Sequence, residues 1–163
     1  MAILGGLTAL VLGGCASTEG TRTAAASAPG SEVGPGPAAV DAVSASKLFN
    51  DVCGKTAPSF RKAPAVMAEL PFRQNTATGT YYHQSLDLSF KLLPKRCSMV
   101  FGSVERSSML GLAMATSTGA NEASFDPISG AATSNGPKGT SLEFQPVAEL
   151  KGRAMYRAVL IAP

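Results

Sequence analysis

Three thiols and one imidazole are the groups with the widest chemistry in this chain of 163 residues. The thiols belong to Cys15, Cys53 and Cys97, and the imidazole belongs to His83. A thiol can accept a lipid, form a disulfide, bind a metal or act as a nucleophile, and an imidazole can act as a general base or a metal ligand. The neighbours of each group in the sequence decide which of these roles is open to it.

A hydrolytic triad would need His83, a carboxylate and a serine at one point. Asp87 lies four residues from His83, which on a strand puts both side chains on one face but about 13 Å apart. No Gly-x-Ser-x-Gly nucleophile elbow is present. A calcium loop built from Asn121, Glu122 and Asp126 would lack the usual Asp-x-Asp-x-Asp-Gly spacing. We therefore predict no catalytic residue, no enzymatic activity, no bound metal and no cofactor.

Cys15 closes an apolar run that starts at Met1 and ends in Leu12-Gly13-Gly14. This pattern resembles the lipobox of bacterial lipoproteins, which is cut just before a cysteine whose thiol carries a diacylglyceryl group. The resemblance implies that residues 1–14 are a signal peptide and that Cys15 is the lipidated N-terminus. The run is too short for a membrane-spanning helix, which needs about 20 residues. No Lys or Arg precedes Cys15, and a start codon upstream of Met1 would supply the basic segment that signal peptides carry.

The residues after Cys15 bear on the membrane to which the lipid would attach. Ala16 and Ser17 follow it, without the Asp that retains enterobacterial lipoproteins in the inner membrane. The resemblance therefore predicts a cell-envelope protein that faces the periplasm, with its lipid in the outer membrane rather than the inner one.

Assigning Cys15 to the lipid leaves Cys53 and Cys97 as an even pair in an oxidising compartment. We therefore predict a structural disulfide between them. A bridge over this separation is worth about 4 kcal/mol in the chain-entropy treatment. The alternative is two buried free thiols, and the chain has no Cys-x-x-Cys spacing that would indicate a redox pair.

Charge divides unevenly between the two parts of the chain. Residues 16–45 carry a net charge of −2, whereas residues 46–163 carry 13 basic and 8 acidic side chains. A positive excess outside the cytoplasm favours anionic lipid headgroups, lipopolysaccharide or peptidoglycan carboxylates. The tight basic cluster of Lys91, Lys95 and Arg96 is the candidate contact, although such a cluster can equally be a solvated loop. No basic stripe alternates with aromatic residues, so we predict no nucleic-acid partner.

Composition separates a tether from a folded domain. Of the 30 residues in 16–45, 23 are Ala, Ser, Thr, Gly or Pro, and none is aromatic. Such a segment buries too little to offset its ordering entropy, so we predict a lipidated, disordered tether over 15–45. Residues 46–163 are predicted to form one domain. Residues 115–141 are rich in Gly, Ser, Thr and Asn and predict a long loop within it.

Hydrophobic periodicity predicts two helices at the start of this domain. One runs from a cap at Ser44 or Ser46 to Gly54, and the other covers residues 59–70. Strict alternation then predicts strands over 79–83, 86–92 and 97–101 and a hairpin of 142–147 with 155–161. Residues 104–115 fit either a helix or a strand. The expected fold class is α+β, with two N-terminal helices packed on a small antiparallel sheet and stapled by one disulfide.

Four stretches of the domain carry a loose resemblance to uncharacterised lipoproteins and periplasmic proteins of Gram-negative bacteria, in particular alphaproteobacteria. They are Leu48-Phe49-x-x-x-Cys53, Thr78–His83, Cys97–Phe101 and Ala154–Pro163. The resemblance implies the compartment and the disulfide, and it implies no activity.

Two functions follow as expectations. The first is a membrane-tethered binding or interaction module in the cell envelope, with an envelope protein or the cell wall as its partner. The second is an enzyme, or an enzyme inhibitor, directed at the cell wall. The first is favoured because binding needs only a surface, whereas catalysis needs positioned groups that the sequence does not display.

Overall fold

A computed structural model of the chain describes residues 37–150 and 152–163. The expected signal peptide at 1–14, the lipidated Cys15 and the expected tether up to residue 36 lie outside the described residues. The described part is an eight-stranded antiparallel sheet with three short helices.

Each half of the fold places helical structure before four strands. In the first half, helix α1 (Ala42–Phe49) continues into a π-helical turn (Asn50–Gly54), and helix α2 (Ala63–Ala68) follows. The strands of this half are β1 (Phe72–Asn75), β2 (Thr80–His83), β3 (Leu88–Leu93) and β4 (Arg96–Ser103). The second half consists of helix α3 (Ser107–Ser117), β5 (Asn121–Phe125), β6 (Ala132–Asn135), a 3₁₀ turn (Pro137–Gly139), β7 (Ser141–Leu150) and β8 (Arg153–Ile161).

The strands are ordered β1-β2-β3-β4-β8-β7-β6-β5, so each half is a meander of four strands. The two halves join where β4 pairs with β8 at the centre of the sheet. Every neighbouring pair is antiparallel, which fits the short turns between successive strands.

One face of the sheet carries the core. Side chains alternate between faces along a strand, and the buried hydrophobic residues of β4 are Cys97, Met99 and Phe101. The π-helical turn lies against this face, where Cys53 forms the predicted disulfide with Cys97 at a Cα–Cα distance of 5.6 Å. Both cysteines are fully buried. The prediction of this disulfide is confirmed.

Helix α3 covers the second half of the same face. It approaches the sheet closely at Gly111, where an added Cβ would lie 3.1 Å from Cδ1 of Phe144. Phe144 is buried and stacks on Tyr156, with ring centroids 5.6 Å apart. Glycine at position 111 therefore permits the close packing of helix on sheet.

The expected fold, two N-terminal helices on a small antiparallel sheet, is wrong. The sheet has eight strands, and helix α3 lies between its two halves rather than at the N-terminus. Strands β1, β5 and β6 are short and mostly polar, and all five residues of β5 are exposed. Such strands are held by backbone hydrogen bonds to a neighbour, so they leave no alternation of apolar and polar residues in the sequence.

Two expected boundaries also differ from the structure. Residues 115–141, expected as a long loop, contain the end of α3, the strands β5 and β6 and the 3₁₀ turn. The stretch 37–45, expected as the end of the tether, belongs to the folded unit. Its Val40 and Ala45 are buried, and Asp41 rather than a serine caps α1 by accepting a hydrogen bond from the Ser44 N–H. A run of small apolar residues has the composition of a low-complexity segment. The same residues also suit a helix that packs closely against its neighbours.

Candidate binding surface

The opposite face of the sheet presents a basic surface over β1–β4 and β8, and the exposed Glu143 of β7 borders this surface. Its outward side chains on β1–β4 and β8 include four exposed cations, namely Arg73, Lys91, Arg96 and Arg157. Tyr82 and Leu93 lie among them with 49% and 47% of their surface exposed. We call this surface the basic face, defined by the six residues Arg73, Tyr82, Lys91, Leu93, Arg96 and Arg157.

Strand register fixes the layout of the basic face. Arg73 lies opposite Tyr82, and Arg157 lies opposite Val100 at the other end of the same cross-strand row. The row spans four strand intervals, or about 19 Å. Arg96 is four residues along β4 from Val100, or about 13 Å. The four cations are thus spread over a broad area rather than gathered at one point.

The basic face holds the positive excess of the described residues. These residues include 12 basic and nine acidic side chains. The five strands themselves contain no carboxylate, and Asp87, which directly precedes β3, is paired with Arg153 at 3.1 Å. None of the four cations lies within ion-pair distance of a described carboxylate. The face therefore carries +4, while eight basic and nine acidic side chains remain elsewhere in the described residues.

The chain enters the fold at one edge of the basic face. The guanidinium of Arg153 donates one hydrogen bond to the carbonyl oxygen of Pro37, at 2.9 Å, and another to Asp87. Ala38 continues the contact, since its N–H donates to the Ser85 carbonyl and its own carbonyl accepts from the Asp87 N–H. These bonds fix the point at which the segment before residue 37 leaves the domain.

A cavity of about 400 Å³ lies beside this entry point. Pro37 and Asp87 form part of its wall, and Tyr82 borders it on the side of the basic face. Ser89 and Val100, which belong to the row between Arg73 and Arg157, also line it. The basic face therefore continues into a shallow depression whose rim is the entering chain.

The structure separates the three residues of the predicted basic cluster. Lys91 and Arg96 lie on the basic face, on the neighbouring strands β3 and β4. Lys95 lies in the turn between these strands, and its Nζ donates a hydrogen bond to the carbonyl oxygen of Pro163. Arg73 and Arg157 are distant in sequence and therefore did not stand out as members of a cluster. Arg157 lies on a strand that alternation predicted, whereas β1 carries no such pattern, and only the register places the two arginines in one row with Tyr82.

His83 and Asp87, considered above for a triad, are engaged separately. The Nδ1 of His83 accepts hydrogen bonds from the backbone N–H groups of Ser85, at 3.2 Å, and Leu86, at 3.0 Å. In the neutral ring the proton therefore resides on Nε2. Asp87 belongs to the ion pair with Arg153. The imidazole thus stabilises the turn between β2 and β3.

We expect His83 to make stability depend on pH. Partial burial lowers the pKa of His83 below its ordinary value of 6.5. Below pH 6.5 the unfolded chain therefore binds more protons than the folded protein. The contribution of His83 to the free energy of unfolding is fully present above pH 6.5 and is lost as the pH falls through the pKa of the folded state. Protonation would also remove the acceptor that Nδ1 offers to two N–H groups.

The measurement is the urea midpoint as a function of pH. As the pH falls below 6.5, the urea midpoint should decrease for the native protein and stay constant for His83→Gln. The carboxylates of Asp41 and Asp51 have pKa values lowered from 3.8 and titrate in a separate, more acidic window. An equal decrease in the His83→Gln variant would assign the effect to other groups.

A second surface lies on the helix layer, between α1 and α3. It is a largely apolar groove of about 430 Å³, with Ala42 and Ser46 on one side and Met109 and Leu112 on the other. Met109 and Leu112 are 58% and 67% exposed. No charged side chain lines this groove, so it lacks the electrostatic character of the basic face.

Other features bear on the earlier expectations. Within residues 37–150 and 152–163, no three His, Cys, Asp or Glu side chains are grouped closely enough to hold a metal ion. Of the helices in the described part of the chain, none combines the length and the apolar character needed to cross a bilayer. No protein-family model, no curated protein and no solved structure matches this chain.

Proposed function

We propose that this protein is a lipid-tethered binding module of the bacterial cell envelope, and that its binding surface is the basic face. The resemblance of Leu12-Gly13-Gly14-Cys15 to a lipobox supports the lipid anchor. The same resemblance, with Ala16 and Ser17 after the cysteine, supports a periplasmic location at the outer membrane.

The observation that carries the proposal is the position of Pro37 at the edge of the basic face. A lipid on Cys15 would be joined to the domain through this point. The 21 residues between Cys15 and Pro37 can span at most about 70 Å. An anchor at this distance would keep the exposed cations within reach of an envelope partner.

A cell-wall-directed enzyme or inhibitor is the second candidate. The groups considered for acid–base chemistry are bonded elsewhere, since His83 accepts two backbone N–H groups and Asp87 pairs with Arg153. A broad basic face favours binding over catalysis because catalysis needs groups that converge on one reacting atom.

Acylation of Cys15 is the first expected result. The protein, expressed in a Gram-negative bacterium supplied with an alkyne fatty acid, should take up the label, and Cys15→Ser should not. The labelled product should also be shortened by the 14 residues before Cys15. Because no Lys or Arg precedes Cys15, a second version with two lysines inserted after Met1 provides a basic start. Absence of label from both versions would contradict the lipid tether.

Cross-linking in intact envelopes tests the binding half of the proposal. A partner should be recovered with the native protein and lost when Arg73 and Arg157 are replaced by Gln. Replacement of two cations outside the face, Arg61→Gln with Arg106→Gln, is the matched control and should retain the partner. Equal recovery with all three proteins would contradict a role for the basic face.

A further inference from the structure

We infer that the basic face docks on the headgroup layer of an anionic phospholipid bilayer. This inference rests on the proposed function for the lipid anchor, and it names the partner of the same surface. Its evidence is the charge, the layout and the exposed side chains of the face, together with the point at which the chain enters the domain.

The charge of the domain is polarised toward this face. Four cations lie there without a described ion-pair partner, and the rest of the described residues have a net charge of −1. A dipolar arrangement of this kind orients the molecule in the field of a negative surface. Each cation near an anionic bilayer strengthens binding about five-fold.

The layout favours a surface over a small ligand. The cations occupy positions on β1, β3, β4 and β8 across about 19 Å of sheet. A small phosphate or carboxylate ligand is usually held by groups that converge on it within hydrogen-bond distance. A layer of headgroups instead supplies separate negative charges, one for each of Arg73, Lys91, Arg96 and Arg157.

Tyr82 and Leu93 distinguish a bilayer from other polyanions. Each is about half exposed, and Leu93 lies directly opposite Arg96 in the strand register. A tyrosine ring with its polar hydroxyl suits the boundary between headgroups and acyl chains, and an exposed leucine can be buried there. A surface that combines cations with such side chains has the composition of an interfacial surface.

The entry point of the chain fits this orientation. Pro37 lines the cavity that Tyr82 borders, and Arg153 holds it there. A lipid anchor upstream of Pro37 would keep the domain within about 70 Å of the bilayer, with the chain entering beside the basic face. Once the lipid is inserted, the basic face would meet the bilayer at a raised effective concentration.

A single tryptophan can report the docking because the chain has no natural one. The experiment uses residues 15–163 with Cys15→Ser, so that no acyl chain contributes to binding. Tyr82→Trp is placed on the basic face, and Leu112→Trp, on the exposed side of α3, is the control reporter. We expect a blue shift of Tyr82→Trp emission with vesicles that contain phosphatidylglycerol, no shift with phosphatidylcholine alone, and no shift of Leu112→Trp.

Charge variants test which surface binds. Lys91→Gln with Arg96→Gln should weaken vesicle binding about 25-fold, since two cations are lost at about five-fold each. The control Arg61→Gln with Arg106→Gln removes the same charge from the segments that lead into α2 and α3, and it should change binding by less than about three-fold. Equal losses in the two variants, or a shift of both tryptophans, would overturn docking through the basic face.

The outcomes separate this inference from the proposed function. Acylation of Cys15 without any vesicle binding would retain the tethered module and overturn the bilayer as its partner. Vesicle binding by a chain that is never acylated would retain the docking and overturn the lipid tether. Co-sedimentation with purified peptidoglycan that depends on Lys91 and Arg96, without vesicle binding, would assign the face to the cell wall.

Discussion

Removal of the disulfide between Cys53 and Cys97 should lower the free energy of unfolding by about 4 kcal/mol. The two cysteines are 44 residues apart, so the bridge removes much of the freedom of the unfolded chain. Both are fully buried, and the bridge joins the π-helical turn to the central part of the sheet. The effect is large against the total stability of a small domain, which is about 5–15 kcal/mol.

Urea unfolding of the native protein and of Cys53→Ala with Cys97→Ala is the measurement. The slope of the transition should also rise in the variant because an uncrosslinked unfolded chain exposes more surface. Reductant provides an internal control, since it should destabilise the native protein and leave the variant unchanged. A loss below about 1 kcal/mol would contradict a stabilising role for the bridge.

Phe144→Ala should be comparably destabilising, by about 3–5 kcal/mol. Phe144 is 1% exposed, stacks on Tyr156 and lies under the closest approach of α3 to the sheet, at Gly111. Glycine has no side chain to move into the space that the lost ring would leave. The helix is held by its other contacts, so we expect a cavity rather than collapse around the site.

Phe125→Ala is the matched control for this prediction. Phe125 is the same residue type on β5, in the same half of the sheet, but it is 41% exposed. Its removal should cost about 1–2 kcal/mol, well below the loss for Phe144→Ala, because a smaller part of its ring is buried. Similar losses of unfolding free energy in Phe125→Ala and Phe144→Ala would show that burial at the α3 interface is not what stabilises this half of the fold.

Local patterns in the sequence determined the strands that carry the core. Apolar and polar residues alternate along β3, as in Leu88-Ser89-Phe90-Lys91-Leu92, because one face of the sheet is buried and the other is exposed. The disulfide followed from counting cysteines after Cys15 was assigned to a lipid, and the structure contains it. Lys91, Lys95 and Arg96 could be singled out as a basic cluster because they lie within six consecutive residues.

The edges of the sheet and the helix that divides it were decided by tertiary contacts. Strand β5 has no buried residue, and β6 buries only Ser134, so hydrogen bonds to neighbouring strands rather than side-chain patterning place them. The sequence of residues 104–115 was compatible with a helix or a strand. In the structure Ser107–Ser117 is helical, and this helix packs on Phe144 at Gly111. Propensity is a weak guide for such segments because burial against the rest of the fold outweighs it.

The basic face shows the same division. The sequence by itself determined the overall positive charge and, on β3, the alternation that exposes Lys91. Only the tertiary structure brought Arg73 and Arg157, 84 positions apart in the sequence, into one row of the sheet with Tyr82 between them. The physical reason is that strand register is set by long-range pairing, which joins β4 to β8 at the centre and thereby merges two separate meanders into one continuous surface.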